Sequence, residues 1–374
     1  MRASYKYKIY QSKRNKKADQ LFSTACWVYN HCIALHKRYY SLYHKSLKTN
    51  TLQKHLVKLK KKDRYSSWRT LSSQSIQQIT QKIEKGYKMF FQKQAKRAPG
   101  FRGRHKYKSI TFKDSGWCLN GNEFIINSIG LRLRFFKSRD IAGNIKTVTL
   151  KKDAAGDLWL CFSLDDVKSD PKIIPMTGRT AGFDFGLKTF LTCSDGDRVE
   201  SPQVLLKSLA TLRKRSKLVS KKVKGSAGRK KAKLSLARLH RSVSNQRDDF
   251  AWKLATDLLQ KYDVLCFEDL NMKGMQMMWG RKISDLGFAG FMNKIEYLAL
   301  NKGKTVVRID GLLASSKTCY TCGVKYKELG LAERVWTCAG CGQLHDRDLN
   351  ASLNIKRAGT SALEVELIRP ALAG

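Results

Sequence analysis

Two CxxC pairs constrain this chain more than any other feature. Cys319 and Cys322 lie in TCYTCG, Cys338 and Cys341 in TCAGCG, with fifteen residues between the pairs. Four thiolates at this spacing read as one tetrahedral zinc site, each knuckle turned tightly with the help of the glycine behind it. Four thiolates also close the coordination sphere, so this single zinc is structural and any chemistry lies elsewhere. The remaining six of the ten cysteines (Cys26, Cys32, Cys118, Cys161, Cys193, Cys266) are scattered singly. That pattern predicts a reducing, cytoplasmic setting with one metal site rather than a disulfide framework.

The rest of the chain must carry the function, and its charge says toward what. Of 374 residues, 42% are hydrophobic, enough for two or three modules with cores of their own. Lys and Arg number 73 against 30 Asp and Glu, a net charge of +43. An excess of this size points to a polyanion. Nucleic acid is favoured over an anionic membrane, because no apolar run reaches the spanning length of about 18 residues. MRASYKYKIYQSKRNKK also lacks the apolar core of a signal peptide.

Along the chain, the basic strand SYKYKIY precedes a segment from Lys16 to Ser46 in which Leu21, Ala25, Val28, Cys32, Leu35, Tyr39 and Leu42 recur at steps of four and three. This spacing predicts an amphipathic helix, with Cys32 and Tyr39 as packing residues. A second helix is expected from Leu71 to Gln94, with Ile76, Ile79, Ile83, Tyr87 and Phe90 on one face. KRAPGFRGRHKYK, which carries Arg102 and Arg104, breaks it. Strand signals follow in SITF, EFIIN, LRLRF, IKTVTL and LWLCFSL. From Arg179 the strands TAGFDFG and KTFLTCSDG lead to a helical hairpin turning at KGSAG. No acid occurs between Val204 and Arg247, a stretch that includes Arg213, Lys214, Arg215, Lys221, Lys222, Arg229, Lys230 and Lys231. Ordinary solvated helices mix both signs, so this run reads as a phosphate-tracking surface. The strands DVLCFEDL and KTVVRID alternate with helices, one of them from about Ser284 to Asn301, which implies a mixed sheet covered by helices.

Three acids stand where burial has to be explained. Asp184 in AGFDFGL and Glu268 in VLCFEDL end otherwise apolar strands, and Asp348 in HDRDLNASLNI opens a helix that Asp346 could cap. Each alone has an ordinary role open to it: a turn, an edge charge, a helix start. Together, in a chain this basic, they form the oxygen-ligand set that hard divalent cations need. A pair of such ions, Mg²⁺ or Mn²⁺, suits in-line displacement at phosphorus.

These segments resemble the TnpB (OrfB) family of insertion-sequence proteins, relatives of compact type V CRISPR effectors. GFDFGLKTFLTCSDG, CFEDLNMKGM and HDRDLNASLNI are similar to the three motifs of their RuvC nuclease domain, with a zinc ribbon introduced by SSKTCYTCG between the second and third. LSSQSIQQITQKIEKGYKMFF and GFRGRHKYKSITF extend the likeness to the first half. Phe183, where an aliphatic residue is commoner, and Ala314, where proline is usual, are departures that remove no ligand.

The resemblance implies a multidomain α+β and α/β chain. Its N-terminal β-barrel wedge (1–15 and 105–175) is interrupted by a helical recognition module (16–104). An RNase H-like RuvC domain with the basic hairpin (176–314), a zinc ribbon (315–344) and the C-terminal part of RuvC (345–374) follow. It implies an Asp184, Glu268, Asp348 triad on two metal ions, with Asp348 preferred to Asp346 because it lies two residues before Asn350. It also implies a monomeric ribonucleoprotein with a guide RNA from its own element, paired to double-stranded target DNA beside a short flanking motif that Gln77, Gln78 and Thr111 would contact. A non-cutting RNA-guided binder and a transposase acting without a guide are the alternatives.

Overall fold

The computed structural model describes residues 3 to 371 apart from 14, 114, 166–173, 188, 272–273, 275–276, 278–279, 281–284, 312–313, 327–328 and 331–332. Two compact units divide the chain, Met1–Ser169 and Asp170–Gly374.

In the first unit β1 (Ala3–Lys8) is followed by three helices, α1 (Asn15–Tyr43), α2 (Thr49–Lys60) and α3 (Ser73–Phe91). Leu21, Ala25, Val28 and Cys32 are buried as the spacing predicts, but the stripe fades after Ile33: Leu42 is 63% exposed. The helix outruns its partners there, and the last turns meet solvent. Burial pushes the Cys32 thiol up to about 12, in keeping with a packing residue. On α3, Ile76, Ile79 and Ile83 are buried, and Ser72 caps the start by accepting from the Ser75 N–H at 3.1 Å. The sequence reading had no counterpart for α2, although Leu52, Leu56 and Leu59, all buried, carry helical spacing.

Strands β2 (Ser109–Phe112), β3 (Trp117–Asn120), β4 (Glu123–Ile126), β5 (Leu131–Arg134), β6 (Asn144–Lys152) and β7 (Leu158–Asp165) complete the unit. They form an open sheet in the order β1-β7-β6-β2 and an antiparallel meander β3-β4-β5. The two are linked past the end of β1, where Ile9 bridges Phe135. The expected closed barrel is not formed among the described residues: no ladder joins β2 to β3. Gly116, at a φ of 88°, turns the chain between these strands, and Phe112 meets Phe124 through side chains instead, ring centroids 5.6 Å apart.

The second unit is built on a five-stranded mixed sheet. Strands β8 (Thr180–Phe185), β9 (Thr189–Cys193) and β10 (Arg198–Glu200) form an antiparallel meander; β11 (Val264–Glu268) runs parallel to β8, and β12 (Thr305–Ile309) parallel to β11. The spatial order is β10-β9-β8-β11-β12. Between β10 and β11 lies the basic hairpin, α4 (Val204–Lys221) and α5 (Ala227–Lys261); α6 (Phe288–Lys302) connects β11 to β12. The expected helix start at Ser284 lies outside the described residues. One face of the sheet packs an aromatic core against α5 and α6, with Phe183 stacked on Phe267 at 5.0 Å and Phe291 beside them. The unusual Phe183 thus has a phenylalanine partner on the neighbouring strand. The last helix, α7 (Arg347–Ala371), crosses β8, β11 and β12, and the short strands β13 (Val335–Thr337) and β14 (Leu344–Asp346) precede it.

Candidate active site and metal centre

Strand alternation sets the acids apart from the core. Phe183 and Phe267 are register partners on parallel strands and point into the aromatic layer, so the next residues, Asp184 and Glu268, point to the opposite face. That face is covered by α7. A Cβ built on Gly182 would lie 2.2 Å from the Ser352 carbonyl oxygen and 2.4 Å from the Lys356 nitrogen, so only glycine lets the helix backbone seat on the strand. Asp348 is one turn before Ser352 on α7, while Asp184 is two residues beyond Gly182 on β8. The crossing therefore brings the helix acid toward the two strand acids.

All three carboxylates are partly buried. Burial first, then the charges of Asp348 and Glu268, push Asp184 up to about 8. Burial also raises Glu268, opposed by the Ser315 hydroxyl, which donates to its Oε2 at 3.5 Å. Arg334 donates to Asp348 Oδ1 at 2.9 Å. Asp346 has other duties: its Oδ1 accepts from the Leu349 N–H at 2.9 Å, capping α7, and its Oδ2 accepts from Arg198 at 2.8 Å. Asp184 thus feels both acidic neighbours in a partly buried site, and an oxygen-only set of this kind fits a hard divalent ion. The three do not draw together as tightly as the cysteines, the one group of three or more potential ligands among the described residues with all donor atoms within 4.8 Å.

The cysteine group is preformed. Cys319 and Cys341 sulfurs are 3.7 Å apart, Cys322 and Cys338 3.5 Å. These match the edge of a tetrahedron with metal–sulfur bonds of about 2.3 Å, roughly 3.8 Å, and are far beyond a disulfide bond of about 2 Å. Gly323 and Gly342 turn the knuckles at φ of 78° and 69°. The Cys341 backbone N–H, joined by that of Gly340, brings the Cys338 thiol down to about 7. His345, absent from the sequence reading, puts Nε2 3.0 Å from Cys319 Sγ, where it can donate to a thiolate.

A second group, of which that reading used only Asn350 and only to choose Asp348, fastens this ribbon to α7. Asn350 Nδ2 donates to the carbonyls of Thr318 (2.8 Å) and Ser315 (3.3 Å), and its Oδ1 accepts from the Tyr320 N–H at 2.9 Å. Asn354, one turn on, donates to the same two carbonyls at 2.7 and 2.9 Å. Arg357 then donates to the Tyr320 carbonyl at 2.7 Å. The strap 315–320, which carries both Ser315 and Cys319, is thus held by one stripe of the helix that bears Asp348. Two asparagines at i and i+4 beside an acid were the available signal.

The candidate nucleic-acid contacts are dispersed. Arg213, Lys214, Lys221, Lys222, Lys230 and Lys231 are exposed on the hairpin, whereas Arg215 donates to the Ser235 carbonyl and Arg229 to the Lys222 carbonyl. In the first unit Gln77 is exposed, Gln78 donates to Gln81, and Thr111 shares a 3.0 Å hydrogen bond with Thr149 across the β2–β6 ladder. Arg102 and Arg104 are both exposed. No described helix is long and apolar enough to cross a membrane.

Comparison with known proteins places these units. The family model OrfB_IS605, described as "Probable transposase", matches residues 167–278, and the Cas12f1-like TNB domain model matches 288–355. A Streptomyces pristinaespiralis protein, provisionally named an RNA-guided DNA endonuclease, is 30% identical over 370 residues, 97% of this chain and 90% of that one. Escherichia coli InsQ, named in the same provisional way, is 24% identical over 379 residues, 96% of this chain and 93% of that one. The chain belongs to the TnpB (OrfB) family. A cryo-EM structure of a Cas12f1–sgRNA–target DNA complex matches with a TM-score of 0.55 at 15% identity, over 92% of this chain and 83% of that one. That likeness is one of fold, the multidomain α+β architecture of a compact type V-like protein.

Proposed function

We propose that the protein is an RNA-guided DNA endonuclease of a transposable element, cutting at an RuvC-type site formed by Asp184, Glu268 and Asp348. The observation that carries this reading is the convergence on one sheet face of two acids from adjacent parallel strands and a third from the helix seated on Gly182. The β10-β9-β8-β11-β12 order, an antiparallel meander extended by parallel strands, supports an RNase H-like domain. The names of the relatives and the guide-RNA and target-DNA content of the solved neighbour support the choice of partners. The first unit would serve as wedge and helical recognition module, and the exposed hairpin lysines would track phosphates.

Asp184, Glu268 and Asp348 would hold two Mg²⁺ or Mn²⁺ ions, which when bound supply an activated water and neutralise charge at the leaving oxygen. The carboxylates fix where the scissile phosphate lies, and their repulsion favours cation uptake. Ser315 orients Glu268; Arg334, paired with Asp348 here, is a cation that must yield or share when metal enters. Cys319, Cys322, Cys338 and Cys341 would hold a zinc ion that takes no part in the reaction and would fix the strap.

The test uses the protein purified with the RNA it carries when expressed from its own locus. One discrete RNA ending in a variable guide, and Mg²⁺-dependent cutting of a plasmid bearing the matching target, is the expected result. Guided binding without cutting would favour the regulator, and strand transfer without RNA the transposase.

A further inference from the structure

A cavity of about 370 Å³ in the first unit, to which only Arg102 of the candidate nucleic-acid contacts belongs, lies between α1, α3 and the segment after α3. Its walls include Tyr29, Met89 and Phe101, with Lys82, Arg97 and Arg102 among them. The site is built rather than incidental. Pro99 seats on Gly86, whose Cβ would come within 2.8 Å of the proline ring, which explains a glycine in the middle of α3 despite its cost of about 1 kcal/mol there. The Tyr29 hydroxyl donates to the Gly100 carbonyl at 3.2 Å. Asn30 clasps the Arg102 backbone from both sides, donating to its carbonyl at 2.9 Å and accepting from its N–H at 2.8 Å. The clasp fixes the Arg102 backbone, and its guanidinium stacks 5.0 Å over the Tyr29 ring.

The chemistry on offer is a planar apolar surface edged with uncompensated cations. Phe101 is 59% exposed although its backbone is held on both sides, and Lys37 stands 4.8 Å from its ring centre. Lys82, Arg97 and Arg102 make no ion pair with an acid among the described residues. Partial burial first, then the Arg102 charge, pushes Lys82 below its ordinary value. Aromatic faces beside arginine and lysine are how proteins hold unstacked bases together with their phosphates, and a volume of this size lies within the range of small-ligand sites.

We propose that this cavity receives a single nucleotide of a bound strand, its base unstacked against Phe101 and its phosphate on Lys82 and Arg102. The assignment rests on the nucleic-acid reading above and adds to it a site with one occupant; the strand is RNA or DNA, and the test separates them.

The full-length chain is titrated with short single-stranded RNA, single-stranded DNA and the paired DNA duplex, each carrying 2-aminopurine as the fluorescent base. The expected result is a fluorescence change with one single strand and none with the duplex, the responding strand naming the source. Phe101→Ala weakens that binding about tenfold, within the stacking contribution of one base, while the exposed site leaves its Tm and its duplex binding unchanged. Arg102→Lys, which keeps the charge and loses the planar fork, weakens it less. Wild-type affinity in Phe101→Ala, equal losses for duplex and single strand, or the same fluorescence change from the duplex would each overturn the nucleotide site while leaving nucleic-acid binding intact. Failure of the wild-type chain to bind any of the three would overturn both readings.

Discussion

Asp184 is displaced by burial and by two acidic neighbours together, and its titration can be followed by stability. Its folded value of about 8 lies above the ordinary 3.8, so between these values the folded chain binds a proton that the unfolded chain has released. Stability contributed by that proton is therefore lost as pH rises through the window, and the cost is complete above it. Asp184→Asn is expected to raise the Tm of metal-free protein near pH 8 more than near pH 5. Equal shifts at both values in differential scanning fluorimetry would show that the site does not hold Asp184 above its ordinary value. Gly182 makes the opposite case, a residue defined by what cannot be added. Gly182→Ala drives a methyl into the α7 backbone and is expected to cost about 3 kcal/mol, a fall in Tm of roughly 10 °C for a unit of this size.

At the scale of elements, the strap and the ribbon act on the acids through α7. Asn350→Ala or Asn354→Ala removes one of the two amide donors that the Thr318 and Ser315 carbonyls of the strap share. The expected loss in cutting is about 10–100-fold, as for other residues that orient metal-binding groups, with one zinc per chain retained by metal analysis. Cys338→Ser should lose that zinc and leave the second unit poorly folded. A soluble, zinc-free and fully active variant would contradict the clip. The sequence made part of this legible. The CxxC spacing and the acids ending apolar strands were visible because each breaks a local pattern. The asparagine stripe, His345 against Cys319 and the seat on Gly182 were not, because they depend on which strand α7 crosses, a tertiary fact without a local period. The missed α2 was legible in Leu52, Leu56 and Leu59 and was hidden by the charge around it. The wedge barrel was an expectation drawn from resemblance, and the open edge between β2 and β3 lies in turn residues that carry no pairing signal.

At the scale of the whole molecule, a net charge of +43 has to meet phosphate. Binding of the target should fall steeply with salt, with a slope matching at least about six neutralised phosphates. Neutralising Lys221, Lys222, Lys230 and Lys231, which are exposed, should lower that slope, whereas Arg215 and Arg229 hold the hairpin to itself and their loss should loosen α4 and α5. The central claim is that charge brings the nucleic acid and three acids cut it. It is tested most directly by comparing wild-type and Asp184→Ala complexes, each purified with its own RNA, on a matched target with Mg²⁺. Guided binding unchanged and cutting reduced by more than about a hundredfold is the predicted result. Cutting by Asp184→Ala at close to the wild-type rate would contradict it.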